Sequence, residues 1–143
     1  MKVFLDTSLL VELHHPLDAG RRKRALRFLK AHVDQHDLVC ASSSVYLELQ
    51  FTLTRAKKSR GWSLSPADAA RIVERARAVV VEPLLMQDVD EAMALQAAKN
   101  TPIRDGAHLV VARRLHCEKF LTCDAPAFTR VGKMRIEVLA SRD

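Results

Sequence analysis

Apolar residues fall in this chain as short continuous runs separated by stretches of helical spacing, and several runs adjoin an acidic residue. Residues 2–5 predict a buried strand, because Val3-Phe4-Leu5 shows no polar alternation, and Asp6-Thr7-Ser8 supplies capping chemistry for a helix through Leu9, Leu10, Val11 and Leu13. Pro16 and Gly20 break that pattern. Residues 21–33 then place Leu26, Leu29 and Val33 at helical spacing behind a basic face. Residues 37–41 predict a second strand, and Ser42, Ser43 and Ser44 offer N-caps for a helix to about residue 57. Residues 58–64 read as a loop closed by Ser65-Pro66-Ala67-Asp68. There the serine caps, the proline takes the first helical position and Asp68 meets the helix dipole, opening a helix to roughly residue 78.

Val79-Val80-Val81 is β-branched and reaches a stop at Pro83, as a strand should. Asp88 with Glu91 resembles a capping box for a helix carrying Ala92, Leu95 and Ala98 or Lys99. Pro102 ends the next loop, Asp105 is expected to cap a helix to about residue 115, and residues 119–123 and 136–139 predict two further strands. Strands alternating with helices imply an α/β fold, a three-layer sandwich with a mostly parallel central sheet of four to five strands flanked by helices. With no repeat, low-complexity tract or linker, residues 1–143 read as a single domain.

The acidic residues beside the apolar runs are Asp6, Glu48, Asp105 and Asp124. In a parallel sheet the connecting helices run against the strands, so strand ends and helix starts share one edge. Asp6 and Asp124 follow strands while Glu48 and Asp105 lie near helix starts, so all four are expected at the carboxyl edge, where open α/β folds place their ligands. Carboxylates leave water at a cost of several kcal/mol unless paired or bound to metal. An all-oxygen cluster suits Mg²⁺ or Mn²⁺, which can acidify a bound water and orient it for in-line attack on phosphorus. Thr7, Ser8 and Thr122 carry hydroxyls able to orient a carboxylate or a metal-bound water, with capping and strand packing as the plain alternatives. His108, one turn after Asp105, shares its helix face, although a packed or solvated histidine is the commoner case. Removing charge from such a cluster, as in Asp6→Asn, is expected to leave the metal-free protein no less stable.

Composition changes this picture in one respect. With 48% hydrophobic and 28% charged residues the chain resembles an ordinary globule. No apolar run approaches the roughly 18 residues of a membrane helix, and the N-terminal run stops at Asp6 before a secretory signal core could form, so a cytoplasmic location is expected. Cys40, Cys117 and Cys123 suit reduced core thiols, and a zinc site from His116, Cys117 and Cys123 lacks the paired close spacings of zinc motifs. The net charge of +6 is the informative number, because it coexists with the acidic cluster and implies a polyanionic substrate. Cations gather in Arg21-Arg22-Lys23-Arg24 and again at Arg55, Lys57, Lys58 and Arg60, a distribution that could neutralise backbone phosphates; the second group is taken as the substrate-binding candidate, and solvated helix faces are the plain alternative for either. Trp62 could stack an RNA base or simply anchor its own loop.

Together Val3-Phe4-Leu5-Asp6-Thr7-Ser8, the segment 44–49 with Glu48, Arg104-Asp105-Gly106-Ala107-His108-Leu109, and Leu121-Thr122-Cys123-Asp124 with Phe128 downstream resemble a PIN-domain ribonuclease of the VapC class of toxin–antitoxin systems. The resemblance spans nearly the whole chain. It implies a PIN-like fold and a metal-dependent endoribonuclease in which Asp6, Glu48, Asp105 and Asp124 hold Mg²⁺ or Mn²⁺, supported by Thr7 and Thr122. It also implies a homodimer and a cognate antitoxin whose tail covers the acidic site. Two alternatives stand beside it. A phosphoaspartyl-type phosphohydrolase would also start with a strand ending in Asp, yet Ser8 occupies the place of its second Asp. A non-catalytic RNA-binding module would explain the charge but not the four acids.

Overall fold

The computed structural model describes residues 1–16, 18–55, 63–78, 80–124 and 130–140, the side chain of Arg130 excepted. In chain order the elements are β1 (Lys2–Leu5), α1 (Thr7–His14), α2 (Ala19–His32), β2 (Leu38–Ser42), α3 (Ser43–Thr54) and α4 (Pro66–Arg75). They continue with β3 (Val80–Glu82), α5 (Met86–Lys99), α6 (Ile103–Arg114), β4 (Lys119–Thr122), β5 (Arg130–Val131) and β6 (Met134–Val138). The strands form one sheet in the order β3-β2-β1-β4-β6-β5. All neighbours pair in parallel except β5, a two-residue edge strand antiparallel to β6. This is the α/β, mostly parallel architecture expected from the alternation of elements, with β5 as an unforeseen addition.

β1 is central because its residues are apolar on both faces. Phe4 aligns with Cys40 of β2 and Phe120 of β4, and Val3 and Phe4 are fully buried. A strand covered on both sides has no solvent face, so it shows the unbroken apolar run seen in the sequence. The Phe4 and Phe120 rings stack at 5.2 Å between centroids and 8° between planes. Truncating Phe4 to alanine would cost about 3–5 kcal/mol. From β1 the chain moves outward through β2 and β3, then returns to β4 on the other side of β1. That reversal opens a crevice beyond the carboxyl ends of β1 and β4.

Several helix ends differ from the sequence reading. α2 starts at Ala19, where Asp18 caps it by accepting the Arg21 N–H at 2.9 Å. Its buried row is Ala25 with Phe28 and Leu29 packed alongside, so Leu26 faces outward. α3 stops at Thr54, whose hydroxyl bonds back to the Gln50 carbonyl at 2.9 Å, a pattern that competes with helix propagation. α4 ends at Arg75. α5 begins at Met86, so Asp88 is its third residue and accepts the Leu85 N–H at 2.8 Å, while Glu91 pairs with Arg113. Likewise Pro102 is the N-cap of α6, and Asp105 lies within its first turn without being the cap. Among the described residues no helix is long and apolar enough to cross a membrane.

Candidate active site at the carboxyl edge of the sheet

Asp6 stands where β1 becomes α1 and is almost fully buried. Its backbone N–H donates to the Leu121 carbonyl at 2.9 Å, which extends the β1–β4 pairing to the site. Its Oδ1 accepts the Thr7 N–H at 2.9 Å and caps α1. Oδ2 accepts the Thr122 hydroxyl at 2.7 Å and the Ser8 hydroxyl at 3.3 Å. The same two oxygens brace the β4 end, because Thr122 Oγ1 accepts the Asp124 N–H at 3.0 Å and Ser8 Oγ accepts the Cys123 N–H at 2.9 Å. Ser8 and Thr122 therefore orient Asp6 and the backbone at Asp124 together. The Thr7 hydroxyl turns elsewhere, toward the Val45 carbonyl at 3.5 Å, and ties α1 to α3.

Glu48 reaches the edge from α3 and meets a histidine. His108, 2% exposed, places Nε2 2.7 Å from Glu48 Oε2 and 4.0 Å from Asp6 Oδ1. Its other nitrogen lies 3.5 Å from the Ser44 hydroxyl, and the Phe4 ring flanks it at 6.5 Å. Burial alone would disfavour the imidazolium, but the Glu48 hydrogen bond and the charges of Asp6, Glu48 and Asp105 outweigh it and raise the His108 pKa. Burial of Glu48 is outweighed in turn by His108 and Arg104, which hold that carboxyl below its ordinary range.

Among the described residues the other two acids make no ion pair, and Asp124 has only the Ser8 hydroxyl to relieve it. Burial, followed by the Asp6 and Asp124 charges, pushes the Asp105 carboxyl up to about 6, with only partial relief from His108. Asp124 is raised by burial and then by Asp6 and Glu48. The four acids expected from the sequence thus lie within electrostatic reach of one another and carry an excess of negative charge. Asp88 provides the internal contrast. It is more deeply buried than Asp105 or Asp124, yet Arg114 approaches its two oxygens at 3.0 Å each and more than offsets burial, holding its pKa low. Here an acid with a purely structural place receives its cation from the chain.

Donor chemistry at the edge fits a hard divalent cation, since every acid there offers oxygen and the raised carboxyls of Asp105 and Asp124 mark charge that a cation would relieve. Among the described residues no three His, Cys, Asp or Glu side chains stand together as a group that could hold a metal ion by themselves. Mg²⁺ does not require one, because it keeps several waters and takes one or two carboxylates with substrate oxygens. The cysteines offer no competing chemistry, as burial pushes the Cys123 thiol up to about 12 and that of Cys117 higher still.

Of the proposed RNA contacts, Arg55 follows α3 with its guanidinium 4.8 Å above the Phe51 ring. Lys57, Lys58, Arg60, Trp62 and Phe128 lie outside the described residues. Beside Glu48 and His108 a groove of about 680 Å³ opens between α3 and α6, walled by Leu47, Phe51, Leu84 and Ala107 with Arg104 at its rim. The sequence had placed His108 on the right helix face but could not reveal its bond to Glu48, sixty residues away.

A search of curated sequences returns no match. Among solved structures, VapC20 of Mycobacterium tuberculosis, described as a Sarcin-Ricin loop cleaving toxin, is similar at 24% identity with a TM-score of 0.60, covering 82% of this chain and 86% of that one. VapBC2 of Rickettsia felis, bound to a promoter DNA fragment, is similar at 15% identity and a TM-score of 0.64, covering 98% of this chain and 100% of that one. FitAcB of Neisseria gonorrhoeae is similar at 14% identity and a TM-score of 0.62, covering 94% and 95%. These likenesses are of fold. The sequence profile of the PIN domain matches residues 3–134, nearly the whole chain, which therefore belongs to the PIN domain family.

Proposed function

We propose that this protein is a metal-dependent endoribonuclease, the toxin of a toxin–antitoxin pair, that hydrolyses RNA phosphodiester bonds in the cytoplasm. The observation that carries this reading is the excess charge at the carboxyl edge, where Asp105 and Asp124 are raised and, among the described residues, have no cationic partner of the kind that Asp88 has in Arg114. Asp6, Glu48, Asp105 and Asp124 would hold Mg²⁺ or Mn²⁺, with Ser8 and Thr122 orienting Asp6 through their hydroxyls and Thr7 through its amide. When bound, such an ion supplies an acidified water and neutralises charge on the phosphate oxygens. His108 holds the Glu48 carboxylate in one orientation, and Asp105, titrating at about 6, can hold or release a proton near neutral pH.

The similarity to a Sarcin-Ricin loop cleaving toxin and to a toxin–antitoxin complex from Klebsiella pneumoniae supports an RNA substrate and a cognate antitoxin. A homodimer belongs to the same proposal. Leu47 at 75% and Phe51 at 49% exposure lie one turn apart on α3 beside the apolar groove, which supports a protein partner on that face. Ser8 counts against the phosphoaspartyl alternative, since its hydroxyl is already engaged by Asp6, Thr122 and Cys123 and is no proton donor of carboxylic strength.

The test compares cleavage of total cellular RNA by wild type and Asp105→Asn, with Mg²⁺ or Mn²⁺ and with EDTA. Discrete fragments that need both the metal and Asp105 are expected. RNA binding with no metal-dependent cleavage would replace the proposal with a non-catalytic binding module.

A further inference from the structure

Of the two basic clusters in the sequence, the one after α3 lies outside the described residues except for Arg55, whereas the other lies on α2. That helix carries Arg21, Arg22, Lys23, Arg24, Arg27 and Lys30 with no acidic residue between Ala19 and His32. Arg21, Arg24 and Arg27 recur every three residues and so form one row along the helix. The row begins beside the acidic edge. Arg21 and Arg24 line a small cavity with Glu12, Cys123 and Leu139, and Cys123 directly precedes Asp124. Glu12 accepts from Arg21 at 3.3 Å, whereas Arg24 and Arg27 make no ion pair among the described residues. On the other flank, Arg104 adjoins Asp105 and lowers the Glu48 pKa. The acids therefore lie between two sources of positive charge.

We propose that Arg24 and Arg27, continuing from Arg21, bind backbone phosphates of single-stranded RNA on the Asp124 side of the site. This rests on the nuclease reading for the substrate class. A polyanion brought against four carboxylates is repelled unless cations flank its path, and this row supplies them on the side opposite Arg104. The cavity, about 30 Å³, holds a water or two or the oxygens of a phosphate but not a base. Contacts here therefore fix position and add affinity without reading sequence.

The experiment measures anisotropy of a short labelled oligouridylate against salt concentration in EDTA, where binding is separated from cleavage. It compares wild type, Arg24→Gln/Arg27→Gln and the charge-matched control Lys133→Gln/Arg135→Gln. Both control residues are exposed, and Arg135 aligns with Lys119 at the opposite, amino edge of the sheet. Glutamine keeps helix propensity close to that of arginine, so the α2 variant retains its fold. Losing two phosphate contacts should flatten the log–log salt slope by about 1.4, at roughly 0.7 per contact on a single strand, and weaken binding at low salt, while the control keeps the wild-type slope. An unchanged slope in the α2 variant, or an equal fall in the control, overturns the proposal. Metal-dependent cleavage with an unaltered slope would leave the nuclease standing and turn this face over to an acidic protein partner. A flattened slope without any cleavage would keep the phosphate site and remove the nuclease.

Discussion

Asp105→Asn offers a direct way to weigh the charge at the acidic edge. Folding carries this carboxyl from 3.8 to about 6. At 1.36 kcal/mol per pH unit that amounts to roughly 3 kcal/mol, which partial solvent exposure of Asp105 reduces to about 1.5 kcal/mol through screening. The sign follows from proton binding. The folded state holds the proton more tightly, so the wild type loses stability as pH rises from about 4 to about 6, and the penalty stays constant above that. Asparagine has the same shape and never ionises, and no hydrogen bond to the Asp105 carboxyl is made by the described residues. In EDTA, Asp105→Asn should therefore match the wild type near pH 4 and exceed it by about 1.5 kcal/mol at pH 8, or roughly 5 °C in Tm for a chain of this size. Thermal melts of both proteins across that pH range provide the assay. An equal difference at both ends, or a variant less stable at pH 8, would refute the electrostatic account.

His108→Phe should destabilise the protein by about 2 kcal/mol at pH 6, the value of a hydrogen bond to a charged partner. Because the folded His108 pKa is raised, this loss should shrink as pH climbs above it; urea titrations at pH 6 and pH 9 would show whether it does. Arg114→Ala strands Asp88 without its cation and should cost about 3 kcal/mol by the same titration, while leaving metal-dependent cleavage intact at a permissive temperature. Asp6→Asn should abolish cleavage and also lower stability by about 1 kcal/mol, since an amide nitrogen at the Oδ2 position can no longer accept from both Thr122 and Ser8; a melt in EDTA unchanged from wild type would contradict this.

That last expectation reverses the one drawn from charge alone, and the reason lies in what a sequence displays. The continuous run Val3-Phe4-Leu5 followed by Asp6 reveals a buried parallel strand and an acid at its end, because both are local patterns. It does not reveal that Thr122 and Ser8 donate to that acid, since the first lies across the β1–β4 pair. The Asp88–Arg114 and Glu48–His108 pairs were hidden for the same reason, joining elements far apart in the chain. Asp88 was even read as a helix start because a capping acid looks alike in sequence at the N-cap and three residues further on, inside the first turn. The outward turn of Leu26 was missed because Ala25, small enough to be overlooked as an anchor, takes the buried position on α2.

The comparison between Asp88 and the edge acids bears on why the site is built at a cost to the fold. A chain able to place Arg114 against one buried carboxylate could have neutralised the others in the same way. At the edge the described residues supply an imidazole instead, bonded to Glu48 and 4.0 Å from Asp6, with Arg104 acting on Glu48 as well, and leave Asp105 and Asp124 raised. Filling the gap with arginine would satisfy the charge permanently and exclude an exchangeable cation. Leaving it open means that any divalent ion bound only by the folded state must stabilise it, by an amount that grows with concentration. Mg²⁺ or Mn²⁺ should accordingly raise the Tm of the wild type, and raise it less in Asp105→Asn, where part of the repulsion is already gone. Equal rises in both proteins would mean that the ion binds elsewhere and that the excess charge at this edge serves some other end.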